Sequence, residues 1–208
     1  MSIYADEHRA FQARFESTAL ADRLEKMIVK ETLGDAERDF IESRSFFYLS
    51  TVTADGFPTV SFKGGAPGFV PVLDERTIAF PSYNGNGMFF SMGNIAARPE
   101  IGCLFMDFEA PHRIRFHGRA TVSADDPLTA TYPECELIVR VETHKLWVNC
   151  PRYIPKMPLA EASANVPGVL EKTPLADWKK LDVFQDVLPE ADRERVEAEG
   201  GPIDTSGR

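Results

Sequence analysis

Three groups of residues in this chain have types and spacings that could bind or transform a ligand. The first is Phe80 to Asn94, FPSYNGNGMFFSMGN. Ser82, Asn84 and Asn86 offer short polar side chains, and Gly85 and Gly87 free the backbone to turn. Thr77–Phe80 reads as the end of a strand. Met88 to Ala97 reads as a helix with Met88, Met92, Ile95 and Ala96 on one side, stopped by Arg98-Pro99. A strand entering a helix through Gly and Asn aims unpaired N–H groups at one point, where the helix dipole favours an anion. Any capped strand-to-helix connection uses the same residues, so both readings stand. The second group is one face of a strand over His112–Ser123, where Arg113, Arg115, His117, Arg119 and Thr121 alternate with Ile114, Phe116, Gly118, Ala120 and Val122. Three guanidinium groups on one face suit a phosphate or an anionic substrate. They equally suit a solvated face paired with acids such as Glu142 on a neighbouring strand. The third group is the histidines and cysteines. His8, His112, His117 and His144 lack metal-ligand spacing, although His117 and His144 could approach across strands. Cys150 sits in Asn149-Cys150-Pro151-Arg152 with no visible activating partner.

No Gly-x-Ser-x-Gly elbow, Walker sequence or dinucleotide fingerprint is present, and no hydrolytic triad can be assembled. No residue is singled out as an acid, base or nucleophile, and no metal site is expected. A bound cofactor would therefore have to carry any reaction.

The elements that would position these groups can be read from periodicity. Residues 6–31 read as one long amphipathic helix with Phe11, Phe15, Leu20, Leu24, Met27 and Ile28 on its apolar side, either packing for the core, the favoured reading, or a lid over a partner subunit. Asp35 can cap a short second helix carrying Phe40 and Ile41. From Phe46 the period becomes two. Phe46–Thr53, the turn Ala54-Asp55-Gly56-Phe57 and Pro58–Lys63 form a hairpin. Phe69–Leu73, Thr77–Phe80, Ile101–Asp107, His112–Ser123 and Leu137–Val148 come next as strands, the last with Leu137, Val139, Val141 and Trp147 on one side. Six or seven short strands with hairpin signals and one inserted helix indicate an antiparallel barrel or sandwich. Past Pro155 the chain is Pro-rich and irregular apart from a helical patch near Trp178–Leu181, and an acidic stretch, Glu190–Glu199, precedes a tail expected to be disordered.

The chain has 208 residues, 43% hydrophobic, including 15 Phe, with a formal charge of −9. The charge sits at the ends: residues 1–42 hold ten acids against six bases and residues 185–208 hold seven against three. Acidic ends around a near-neutral centre argue against nucleic acid and anionic membrane as partners. No apolar run reaches the ~18 residues of a membrane span. The N-terminus lacks the pattern of a signal peptide. Cys103, Cys135 and Cys150, far apart and odd in number, suit reduced thiols in a cytoplasm.

Several of these stretches together resemble the FMN-binding split barrels of the pyridoxamine 5'-phosphate oxidase-like family. Phe46–Val52 and Asp55–Ser61 look like its first hairpin, and Lys63-Gly64-Gly65-Ala66-Pro67-Gly68-Phe69 resembles a glycine-rich loop of one bacterial branch. Gly85-Asn86, Gly93-Asn94 and Pro99 look like its phosphate-side turn and helix. His112–Ala120 looks like a barrel strand, and Asn149–Pro155 like a branch-specific closing motif. The resemblance spans residues 38–158, with 1–37 a helical extension and 159–208 a C-terminal one. It implies a mainly β fold, a six-stranded antiparallel Greek-key split barrel with flanking helices. It also implies a homodimer with one FMN in each of two grooves between subunits.

Carried over by position, Ser61, Phe62 and Lys63 would line the flavin, and Ser82, Asn86 and Gly87 would lie at its phosphate or ribityl end. Arg113 would reach in from the partner subunit, with Asn149 and Arg152 near the same groove. Two departures stand out. Where the authentic oxidase has a Ser-Arg-Lys run, this chain has Gly85-Asn86-Gly87-Met88, and no C-terminal Arg and Trp pattern comes after Ile154. Both argue against a role in making pyridoxal phosphate. The resulting expectation is a cytoplasmic, homodimeric FMN-dependent oxidoreductase acting on a small molecule, with NAD(P)H a candidate electron donor. The alternatives are a flavin-, deazaflavin- or haem-binding carrier or sensor without turnover, and a split barrel used only for association.

Overall fold

The computed structural model describes residues 2–206. The chain divides into two compact units, Met1–Glu161 and Ala162–Arg208.

The first unit is built on six strands: β1 (Phe46–Val52), β2 (Pro58–Gly64), β3 (Thr77–Tyr83), β4 (Glu100–Asp107), β5 (His112–Ser123) and β6 (Cys135–Val148). They form one sheet in the order β2-β1-β4-β5-β6-β3, with every pairing antiparallel. Strand alternation sends one set of aromatics inward. Phe47, Phe80, Phe105 and Phe116 are fully buried. The Phe47 ring lies 5.1 Å from Phe105 on the adjacent strand and 5.0 Å from Phe80 on β3, the far edge of the sheet. Two strands so distant in sheet order can touch only if the sheet curls over its own inner face, as in a split barrel.

Helix α4 (Phe90–Ala97) closes part of that inner face with Met92, Asn94 and Ile95 buried. Buried Asn94 donates from Nδ2 to Thr51 Oγ1 on β1 at 3.0 Å, which satisfies both side chains. Helix α3 (Asp35–Glu42) buries Ile41, and its Glu37 carboxylate accepts from the Gly34 N–H at 3.0 Å and from Lys30 Nζ at 2.7 Å.

The structure differs from the periodic expectation at five places. The single N-terminal helix is two, α1 (Asp6–Arg14) and α2 (Thr18–Ile28), because Glu16 adopts the left-handed conformation at φ 54. Neither helix buries a residue, and Phe11, Phe15, Leu20, Leu24 and Met27 are exposed rather than packed on the core. Phe69–Leu73 is not a strand and contributes only a bridge from Val72 to Ile78, while Phe69 and Val70 still enter the core. α4 starts at Phe90, so Met88 lies outside it and is exposed, as is Ala96.

The fifth difference is on β6. Gly118 pairs with Thr143 and His117 with Lys145, so His144 is an extra residue at a β-bulge. The bulge reverses the face that each later residue of the strand presents. Val139, Val141 and Leu146 are buried, whereas Trp147 pairs with Arg115 on the outer face. Gly118 permits the close approach there: a Cβ at that position would come 2.4 Å from Val141 Cγ1 and 2.6 Å from the Glu142 carbonyl.

In the second unit, 3-10 turns at Asp177–Lys180 and Asp182–Phe184 and helix α5 (Glu190–Ala198) gather Leu175, Leu188 and Val196 into a small core. Buried Lys179 pairs with Asp192 at 2.7 Å. The tail expected to be disordered is tied back: Ile203 bridges Leu181, and Thr205 Oγ1 donates to Asp182 at 2.6 Å. Gly207 and Arg208, the last of that tail, lie outside the described residues.

Candidate ligand-binding site

On β2, Ser61 and Lys63 share the inner face, opposite buried Leu49 and Phe47, while Phe62 faces outward. Strand geometry therefore separates Phe62 from its two neighbours. Ser61 Oγ lies 3.3 Å from Ser91 Oγ in the first turn of α4. Lys63 is one side-chain repeat (~6.7 Å) further along the strand. Asn94 is hydrogen-bonded to Thr51, opposite Thr59, so α4 runs back along β2 and its first turn faces the Lys63 end. Lys63 is half-buried with no ion-pair partner among the described residues, and burial pushes its ammonium below the usual lysine range. Its charge and the positive end of the helix dipole thus point at the same space.

The turn between β3 and α4 adjoins these groups in sequence. Ser82 is on β3 at a bulge, half-buried opposite Leu137. Asn86 is exposed, and its Oδ1 accepts from the Met88 N–H at 3.1 Å, an Asx turn. Gly87 has φ 73, and Phe89, at the helix cap, has φ 46. A non-glycine residue held there costs on the order of 1–3 kcal/mol, strain that tends to occur where a backbone is shaped for a ligand. Phe89 and Ser91 belong to this corner and were missed by sequence reasoning. Their one signal in the sequence is a serine in the helix's first turn.

The remaining residues assemble elsewhere. Arg113 is the second residue of β5, on its outer face, and Asn149 comes directly after β6, its N–H donating to the Arg113 carbonyl at 3.4 Å. Arg113 Nε and Asn149 Oδ1 are both buried without a hydrogen-bond partner. Such groups are costly to leave unmatched, and here two lie side by side. Arg152 is exposed, its guanidinium 4.8 Å over the Tyr153 ring. Of the other guanidinium groups on β5, Arg119 pairs with Glu100 on β4, not with Glu142, which lies opposite it on β6. Arg115 is exposed without an ion-pair partner among the described residues.

The expected site residues therefore fall into two groups. Ser61 and Lys63 lie on the inner face of β2; Arg113 lies on the outer face of β5, three strand spacings away in the sheet order. That separation is ~14 Å and crosses the sheet.

The sequence profile of the pyridoxamine 5'-phosphate oxidases matches residues 33–144, from the loop before α3 into β6. This chain belongs to the pyridoxamine 5'-phosphate oxidase family. No curated protein matches it at the sequence level. Among solved structures, a provisionally named pyridoxamine 5'-phosphate oxidase from Lactobacillus delbrueckii is 20% identical, with 58% of this chain and 99% of that chain covered and a TM-score of 0.47. An F420 reductase is 19% identical over 55% of this chain and 98% of its own, with a TM-score of 0.42. The heme storage protein HutZ of Vibrio cholerae is 16% identical over 56% and 94%, with a TM-score of 0.42.

Among the described residues no helix is long and apolar enough to cross a membrane.

Proposed function

We propose that two copies of this chain bind FMN at grooves between them and act as an oxidoreductase on a small molecule, in a cytoplasmic setting. The observation that carries the reading is the division of the candidate residues into two half-sites, each offering groups that lack a partner among the described residues. A second copy is the simplest way to bring a Lys63 face and an Arg113–Asn149 face onto one ligand. The family profile supports it by covering Ser61, Phe62, Lys63, Ser82, Asn86, Gly87 and Arg113.

The residues fit an anionic cofactor. Lys63 would supply a point charge to the phosphate, beside N–H groups of the first turn of α4 and the Gly87 turn. Ser61 and Ser82 would offer hydroxyls toward the ribityl chain. FMN would give Arg113 Nε and Asn149 Oδ1 of the second copy their partners, and exposed Arg152 would lie near the same groove. FMN, when bound, supplies the exchange of electrons between a small substrate and a donor such as NAD(P)H. The protein's part is to hold the cofactor, set the charge around it and exclude water.

The test is an absorption spectrum of the protein as isolated, then an FMN titration. A flavin spectrum, or uptake of added FMN at one per chain, is expected. Lys63→Ala should weaken binding about tenfold or more, in line with the loss of a charge-assisted contact. Colourless protein that takes up no FMN overturns the reading. A split barrel used only for association is the second reading, favoured by the exposed, cation-free turn at Asn86. Bleaching by NAD(P)H and recovery in oxygen would exclude it.

A further inference from the structure

The N-terminal helices are fastened by their polar side and leave their apolar side open. Arg9 of α1 pairs with Asp22 of α2 at 2.6 Å, and the Ile3 N–H and Ser2 hydroxyl donate to Glu25 at 2.6 and 2.8 Å. Beyond α2, Lys30 and Leu146 exchange backbone hydrogen bonds, both at 2.9 Å, on the end of β6 that β3 does not reach. The hairpin is therefore fixed to the sheet. Helices of 9 and 11 residues draw little stability from their own hydrogen bonds and depend on covering an apolar face. Here that face is Phe11 and Phe15, then Leu20, Leu24 and Met27 at helical spacing, and all five are 42–71% exposed. At about 200 Å² for each large side chain fully open, they leave ~500–600 Å² of apolar surface in water. That is the upper end of what a monomer shows.

A second open apolar surface lies on β2, an edge strand of the sheet, where Val60 and Phe62 face outward. Neither surface covers the other within the chain. We infer that the α1–α2 hairpin of one copy clasps the outer face of β2 on a second copy, and the reverse, as a two-fold axis requires. The clasp rests on the pairing of copies proposed above and adds the surfaces that meet. On the outer face of β5, Arg115 lies one side-chain repeat (~6.7 Å) from Arg113. Tyr4 and His8, at the start of the hairpin, line the same hollow as Arg115. The hairpin thus flanks the Arg113–Asn149 face, while Val60 and Phe62 flank Ser61 and Lys63 in sequence. A pairing that brings the first face to the second carries the hairpin to β2. Together the two surfaces offer each copy ~800 Å², the share each partner contributes to a stable interface of standard size.

The test is sedimentation equilibrium of the full chain, with an FMN titration in parallel. The parent chain should sediment as a pair. Leu24→Glu on the hairpin and Phe62→Asp on β2 should each weaken self-association about thirtyfold or more. Both positions are exposed, so both variants should keep the parent's circular dichroism and melting temperature. An equimolar mixture of the two variants should regain a pair, because one of its two clasps then joins an intact hairpin to an intact β2 face. A monomeric parent, an unchanged mass in either variant, or no recovery on mixing would each overturn the clasp. A chain that pairs, splits at Leu24→Glu and takes up no FMN keeps the clasp and overturns the flavin reading. A chain that binds FMN and stays paired at Leu24→Glu does the opposite.

Discussion

The two faces of the curled sheet use aromatic residues in opposite ways. Inside, Phe47, Phe80, Phe105 and Phe116 are fully buried, and their neighbours complete every contact within the chain. Outside, Phe46 stacks on Phe62 at 5.4 Å and on Phe108 at 5.9 Å, with Tyr48 edge-on to both Phe46 and Phe62. Yet Phe62 remains 62% exposed and neighbouring Val60 71%. The inner set finishes a fold; the outer set leaves Phe62 and Val60 open to solvent. Residue type alone therefore says little, because adjacent positions on one strand serve the two purposes alternately.

That contrast can be broken most severely from within. Phe47→Ala should destabilise the first unit by ~3–5 kcal/mol, the usual result of emptying a packed aromatic position, as read by chemical denaturation. A loss below ~1 kcal/mol would mean the inner face is not closed. Asn94→Ala removes the donor to Thr51 Oγ1, which keeps Thr59 Oγ1 at 2.9 Å, and should cost ~0.5–1.5 kcal/mol, a smaller effect from the same interior. Phe62→Asp should act the other way, with folding nearly unaffected (within ~0.5 kcal/mol at an exposed site). Sedimentation should show the proposed pair of chains reduced to one, and an unchanged mass would remove the outer aromatics from any dimer contact.

The smallest effect concerns pH. The folded-state pKa of His117 lies below its ordinary value, so the folded protein binds fewer protons there than the unfolded chain. This contribution is complete above the unfolded value of ~6.5 and is lost as pH falls through the depressed folded one. Melting temperature should drop slightly between neutral pH and pH ~5, by less in His117→Gln. The window lies above the range where the carboxylates titrate.

Much of the fold was legible because its strands alternate. β5 was read residue for residue, since Arg113 to Ser123 places every second side chain in the core. The hairpin of β1 and β2 was equally plain from Asp55-Gly56 between two β-branched and aromatic runs. What escaped depends on tertiary context. The split between α1 and α2 lies at Glu16, a residue with no sequence mark of left-handed backbone. The apolar stripe of those helices has the period of a core helix, yet period does not say which surface receives it. The site was legible as a set of residue types and illegible as a geometry: strand order puts Lys63 and Arg113 on opposite faces, and nothing local to either residue shows that.

His144 shows how a barrel strand can accept a spare residue. An insertion in the middle of a two-faced strand would ordinarily turn everything downstream inside out, sending Leu146 to solvent and Trp147 into the interior. Here the disturbance is absorbed in a single step beside Gly118, and the flanking order survives on both sides. The extra position is thus a place where this scaffold carries an imidazole without disturbing its core. Excising it should straighten the strand and leave Trp147 facing where it does now.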